Sequence, residues 1–126
     1  MNLSKVLSGF FIILAMTINF GFFYGDPTVL IEHSRYELFA AIVINLIATI
    51  LKLGDRTQIG SVLLATSLVA DIQLIASASL WAFGLYGFGK IDIEMATAIV
   101  SLSGGALLAN VTSVVLFIGE TLKSKR

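Results

Sequence analysis

The chain has 126 residues, 57% of them hydrophobic and 13% charged, and so few charges cannot build a water-facing surface, where a soluble domain carries roughly one quarter. Eight basic and eight acidic residues cancel to a formal net charge of zero, which leaves no basic field for nucleic acid. Cysteine is absent, and with it go disulfides, thiolate catalysis, Cys-based metal sites and lipid attachment to Cys.

The hydrophobic residues fall into four blocks separated by short polar punctuation, a pattern that predicts an all-α, polytopic transmembrane four-helix bundle with lipid as its main solvent. One domain over 1–126 is expected, with spans near 5–25, 37–53, 58–80 and 95–119. The first block, Lys5 to Gly25, begins like a secretory signal peptide. Its apolar run is close to the ~20 residues that span a bilayer, however, and no small-x-small cleavage site follows, so it reads as a retained span. Asp26-Pro27 stops it: Asp26 is placed as a cap and Pro27 at a first helical position, and Thr28 to His33 is expected to form a short interfacial turn.

The second block, Glu37 to Leu53, opens with Ser34-Arg35-Tyr36-Glu37, which has the spacing of a capping box and predicts a helix start at Ser34. Gly54 closes it, and Asp55-Arg56-Thr57-Gln58 repeats the capping logic only a few residues later. So short a connection makes the second and third helices antiparallel neighbours. The third block runs from Gln58 to about Tyr86. Its outer part, Leu80 to Phe88, is rich in aromatics and glycine and reads as an interface belt, with Trp81 and Tyr86 at headgroup level. Asp92 can cap the fourth block, Glu94 to Gly119, which ends in Lys123-Ser124-Lys125-Arg126. No internal repeat or low-complexity run is present.

Cations set the expected orientation, because short loops rich in Lys and Arg stay cytoplasmic. With both termini inside, Lys5, Lys52, Arg56, Lys123, Lys125 and Arg126 lie on the inner side, and only Arg35 and Lys90 lie outside. A bias of six against two also argues against dual topology.

One polar residue per helix falls in the middle band of the bilayer: Asn19, Asn45, Asp71 and Asn110, each roughly 11 to 21 Å from the inner end of its own helix. For the asparagines the plain reading is interhelical glue, worth ~0.6 to 2 kcal/mol per bond. Asp71 is the sharper case, since an ionised carboxylate at that depth costs at least ~2.5 kcal/mol. Arg56, the nearest cation on its helix, is about 22 Å away along the axis, and no intramembrane Lys, Arg or His exists to pair with it. Asp71 then either holds its proton, donating one hydrogen bond to an Asn carbonyl, or coordinates a cation together with Asn45, Asn110 and the hydroxyls of Thr49 or Ser67. Gln73 stands about 160° round the helix from Asp71, so keeping both from lipid requires cover on two sides, which a second copy or another protein would supply. On the fourth helix, Thr97, Ser101, Gly105, Ala109 and Ser113 form a small-residue ridge at i, i+4 spacing, suited to close helix packing. Gly104-Gly105 could also mark a bend of the kind that lines ion sites.

Enzymatic chemistry is not expected. His33 is the only histidine and lies beside Glu32, too isolated for a metal set or a catalytic triad. The glycine pair has no phosphate-loop context, and Ser61, Ser67, Ser77 and Ser79 have no intramembrane base to activate them. No cofactor or metal is implied.

Glu37 to Trp81 (ELFAAIVINLIATILKLGDRTQIGSVLLATSLVADIQLIASASLW), with Ile99 to Asn110 (IVSLSGGALLAN), resembles a family of small proteobacterial inner-membrane proteins known as a domain of unknown function. The likeness covers nearly the whole chain. It implies a bacterial inner membrane and a single four-helix domain, and it brings no activity or substrate. Small multidrug exporters and fluoride channels are similar in size alone, for the chain lacks the first-helix Glu of the former and the Arg-containing glycine motif of the latter. Small size and a packing ridge favour a non-enzymatic scaffold or accessory subunit, acting with copies of itself or another membrane protein. A proton- or sodium-linked transporter or channel, assembled by oligomerisation around Asp71, is the alternative.

Overall fold

The apolar blocks fold into four α-helices: α1 (Leu3–Phe23), α2 (Arg35–Lys52), α3 (Gln58–Phe83) and α4 (Ile93–Ser124). The computed structural model describes residues 3–54 and 57–124, and no strand occurs among them. Each helix packs on its neighbours in chain order and α4 closes back on α1, which gives an antiparallel up-down-up-down ring.

Local chemistry sets the helix ends. The Ser34 hydroxyl accepts the Glu37 N–H at 3.3 Å, half of the expected capping box; the Glu37 carboxylate lies against Gly21 of α1. Thr57 caps α3 by accepting the Gly60 N–H at 3.0 Å, whereas Asp55 and Arg56, to which the same role was open, lie outside the described residues. Asp92 caps α4 through the Met95 N–H at 2.8 Å. The aromatic end of α3 does not stop at a regular turn: the helix widens into a π-turn over Gly84–Phe88 and ends at Gly89, whose φ of 80° suits a residue without a Cβ. Phe83, Tyr86 and Phe88 are exposed there, and Trp81 is half-buried against Phe22.

Among the described residues, three helical segments are long and apolar enough to cross a membrane: Leu3–Phe23, Gln58–Phe88 and Ile93–Lys123. The first is the expected span shifted by two residues, and the other two reach beyond theirs, the Gln58–Phe88 segment by about two turns at its aromatic end. The second helix differs. Its 18 residues include Arg35, Glu37 and Lys52, and its length of about 27 Å falls just short of a ~30 Å hydrocarbon core.

The 26–33 segment is held by polar contacts. Asp26 accepts from the Thr28 N–H at 2.9 Å and from its hydroxyl at 2.8 Å. These two bonds, the backbone one foremost, hold its carboxyl below the usual carboxylate range. Their stabilisation is therefore complete above the unfolded-state pKa and is lost as pH falls through the lowered folded value. Leu30–Glu32 forms one 3-10 turn. His33, read from sequence as an isolated loop residue, is buried. Its Nδ1 lies 2.6 Å from the Phe22 carbonyl and its Nε2 2.8 Å from the Asp26 carbonyl. Phe22 O belongs to the last turn of α1, where helix carbonyls lack intrahelical partners. The ring thus staples the loop onto the helix end.

Helix contacts are close where side chains are small. A Cβ added at Gly104 would stand 2.7 Å from the Phe23 ring, and one at Gly9 would stand 2.9 Å from the Phe117 ring, whereas one at Gly119 would meet nothing. Gly104→Leu is expected to lower stability by about 1 to 3 kcal/mol through overpacking, while Gly119→Ala leaves it unchanged or raised. His33→Ala is expected to cost about 1 to 3 kcal/mol by stranding the Phe22 carbonyl. Thermal unfolding in detergent measures all three variants.

Candidate functional site

The buried faces of the helices form two apolar clusters. Phe22, Leu38, Ala41, Ala70, Leu74, Ile99 and Ala106 form the larger one towards the aromatic end. Ile12, Ala48 and Val114 form the smaller one towards the Lys5 end. Polar residues of all four helices lie within and between these clusters: Asn19 and Asn45, with Thr49, Ser67, Asp71 and Asn110, are all buried.

Paired contacts give the helix register. Gln73 lies against Gly105, and the Thr66 and Ser113 hydroxyls meet at 2.6 Å, which aligns α3 with α4. Phe23 against Gly104 and Phe117 against Gly9 align α1 with α4. In this register Asn19 and Asp71 both stand level with Leu107. Asn110 lies about 4 to 5 Å nearer the Lys5 end. The Thr49–Asp71 hydrogen bond sets α2 against α3 and leaves Asn45 one helical turn, about 6 Å, along α2 from Thr49.

The bonding is uneven. The Asp71 carboxylate accepts at Oδ2 from the Thr49 hydroxyl, 2.6 Å away, and that hydroxyl also lies 2.9 Å from the Asn45 carbonyl of its own helix. Asn45 turns its amide back to the Ala41 carbonyl at 2.8 Å, so it contacts Asp71 only through Thr49 and the backbone. Ser67 is buried one turn before Asp71 on the same face. Asp71 Oδ1, both amide atoms of Asn19 and the amide nitrogen of Asn110 are buried with no hydrogen-bond partner among the described residues. Because both ends of the Asn19 amide are open, it offers an amino group with two donors and an accepting oxygen whichever way the group is turned.

Gln73 is half-buried within the chain. Its side chain lies across Gly105 of α4, with Oε1 buried and without a partner. The small-residue ridge divides for a geometric reason: four residues advance 400°, so the ridge drifts about 40° per step and about 160° over its length. Ser113 is buried and Gly105 and Ala109 are half-buried at the α3 and core side, whereas Thr97 is half-buried and Ser101 is exposed. The face of α4 turned to the interior instead runs through Ala96, Ile99, Ser103, Ala106, Asn110 and Ser113. Neither the Thr66–Ser113 contact nor the Ser77 hydroxyl, which donates to the Ile99 carbonyl at 2.8 Å, is foreshadowed by spacing, since each needs the α3–α4 register.

At the Lys5 end the bundle opens into a hollow of about 410 Å³ walled by Ser4, Lys5, Ser8, Lys52 and Glu120 among others. Lys5 pairs with Glu120 at 3.6 Å, and Lys52 Nζ stands 5.7 Å from the centre of the Phe117 ring. No group of three or more His, Cys, Asp or Glu suited to a metal occurs among the described residues.

Replacing Thr49 by Val keeps the shape and removes the single donor that reaches Asp71. Stability is expected to fall by about 1 kcal/mol, within the 0.6 to 2 range of intramembrane hydrogen bonds. Chemical denaturation in mixed micelles checks this, with Thr112→Val as control, whose hydroxyl bonds only the Leu108 carbonyl of its own helix.

Residues 32–121 match the model of a family described as a family of unknown function, DUF6394. The match begins in the turn before α2 and leaves out α1. No curated protein and no solved structure matches the chain.

Proposed function

We propose that this chain, which belongs to that family of unknown function, is a non-enzymatic membrane protein that takes up and releases a proton or small cation at Asp71. In this reading it crosses a bacterial inner membrane four times with both termini cytoplasmic. α2 makes the fourth crossing, its charged ends at the two interfaces and its shortness absorbed by snorkelling of Arg35 and Lys52. Cations support the orientation: Lys5, Lys52 and Lys123 mark one end of the bundle, and Arg35 and Lys90 the other.

The observation that carries the ion reading is the set of open polar atoms on three helices. In hydrocarbon an unsatisfied polar group costs several kcal/mol. Asp71 Oδ1, Asn19 and Asn110 are unsatisfied together near one depth. Waters, a proton or a cation fill such valences; in this reading they enter from the Lys5 end, where the hollow opens the bundle as far as Leu63 and Phe117 without reaching these residues. Thr49 orients the carboxylate.

A second reading, an accessory subunit that works through helix packing, draws on a different observation. The outer half of the α4 ridge, Thr97 and Ser101, is incompletely covered by the chain's own helices, and small residues there leave room for a helix of another copy or another membrane protein.

Alkaline phosphatase fused after Lys90 is expected to be active and fused after Arg56 inactive; the reverse pattern contradicts the orientation. Liposomes holding the purified protein under a pH or Na⁺ gradient are expected to show flux that Asp71→Asn abolishes, since the amide keeps the shape but cannot titrate. No flux from the wild type, with stable association of a second membrane protein, favours the accessory reading instead.

A further inference from the structure

On the outer surface between α2 and α3, near the aromatic end, a groove of about 190 Å³ runs along Leu38, Phe39, Ile42, Ala78, Trp81 and Leu85, with Tyr86 at its rim. Its one charged lining residue is Arg35, the first residue of α2. The guanidinium rests 5.5 Å from the centre of the Tyr36 ring and forms no ion pair among the described residues. A second hollow of about 310 Å³, walled by Leu30, Ile31 and His33, shares Arg35 and Trp81 with the first. Arg35 therefore stands between an apolar furrow that runs along the helices and a shallow depression against the 26–33 segment.

We infer that this groove binds one anionic phospholipid, its phosphodiester on the Arg35 guanidinium and an acyl chain along Phe39, Ile42 and Ala78. The charge balance selects the headgroup. Neither hollow is lined by a carboxylate that would receive an ammonium. The nearby acids are engaged elsewhere, since Glu32 accepts the Asp26 N–H at 2.8 Å and Glu37 lies against Gly21 on the α1 side. A guanidinium suits a phosphate geometrically, and tryptophan and tyrosine mark the depth at which headgroups lie. Zwitterionic lipids bring a cation that the site cannot answer. This assignment is independent of the interior site, for none of Asn19, Thr49, Asp71 and Asn110 lines either hollow.

Trp81 is the only tryptophan and forms a wall of both hollows, so its fluorescence reports occupancy directly. Full-length protein is reconstituted in bilayers that contain phosphatidylglycerol or phosphatidylcholine with brominated chains at equal mole fraction. The phosphatidylglycerol is expected to quench Trp81 with an apparent affinity about fivefold higher, the factor that one basic residue near an anionic headgroup supplies. Arg35→Gln is expected to abolish the difference and Arg35→Lys to keep most of it, with unchanged thermal unfolding showing that both variants fold. Equal quenching by the two lipids in the wild type overturns the proposal. A preference that survives Arg35→Gln also overturns it, because the headgroup is then read elsewhere.

Discussion

Hydrocarbon accepts and donates no hydrogen bonds, and most features of this bundle answer to that constraint. Backbone groups are satisfied inside helices, so the four apolar blocks must be helical wherever they meet lipid. Side chains with polar atoms must find oxygen or nitrogen within the protein. Most short hydroxyls do so locally: Thr97, Thr112 and Thr121 return their protons to the carbonyl four residues earlier, and Ser103 to the Val100 carbonyl. These bonds explain why so many Ser and Thr residues sit in apolar helices without forming a site.

Asparagine and aspartate have too many bonding positions for that local solution. Asn45 returns only its amide nitrogen to its own helix, Asp71 is met at one oxygen by Thr49, and Asn19 finds no partner among the described residues. The result is a polar level enclosed by apolar packing. Ala70, Leu74 and Ala106 pack against it towards the aromatic end, and Ile12, Ala48 and Val114 lie towards the Lys5 end. Such an interior is stable if each open position is filled by a proton, water or ion, and each is then responsive to what fills it. The same constraint accounts for Gln73, whose amide lies over Gly105 because only a glycine there leaves space for it.

Much of the architecture was legible in the chain. The capping residues Ser34 and Asp92 mark their helix starts, and the membrane-scale lengths of α1, α3 and α4 follow from apolar run length. What composition could not reveal depends on how the helices are shifted along one another. The Thr49–Asp71 bond, the Thr66–Ser113 contact and the Gln73 side chain over Gly105 all follow from registers that short loops constrain but do not fix. The small-residue ridge looked continuous in one dimension, yet a four-residue repeat drifts about 40° per step on a 3.6-residue helix, and Ser101 turns outward as Ser103 turns in. The stapling contacts of His33 escaped notice for a related reason, since its two partners are the backbone carbonyls of Phe22 and Asp26, and backbone partners leave no pattern of residue types.

As proposed, the Asp71 carboxyl, buried with the Thr49 hydroxyl of α2 at its Oδ2, exchanges its proton or cation with water. Infrared difference spectroscopy of the protein in lipid bilayers, titrated with pH in the presence and absence of Na⁺, measures this at the carboxyl group itself. The account predicts a carbonyl-stretch band that is missing from Asp71→Asn, changes intensity with pH or Na⁺, and shifts in Thr49→Val. An Asp71 band that stays constant through the whole titration, with no response to Na⁺, would mean that the group is sealed and serves packing alone, which contradicts the account.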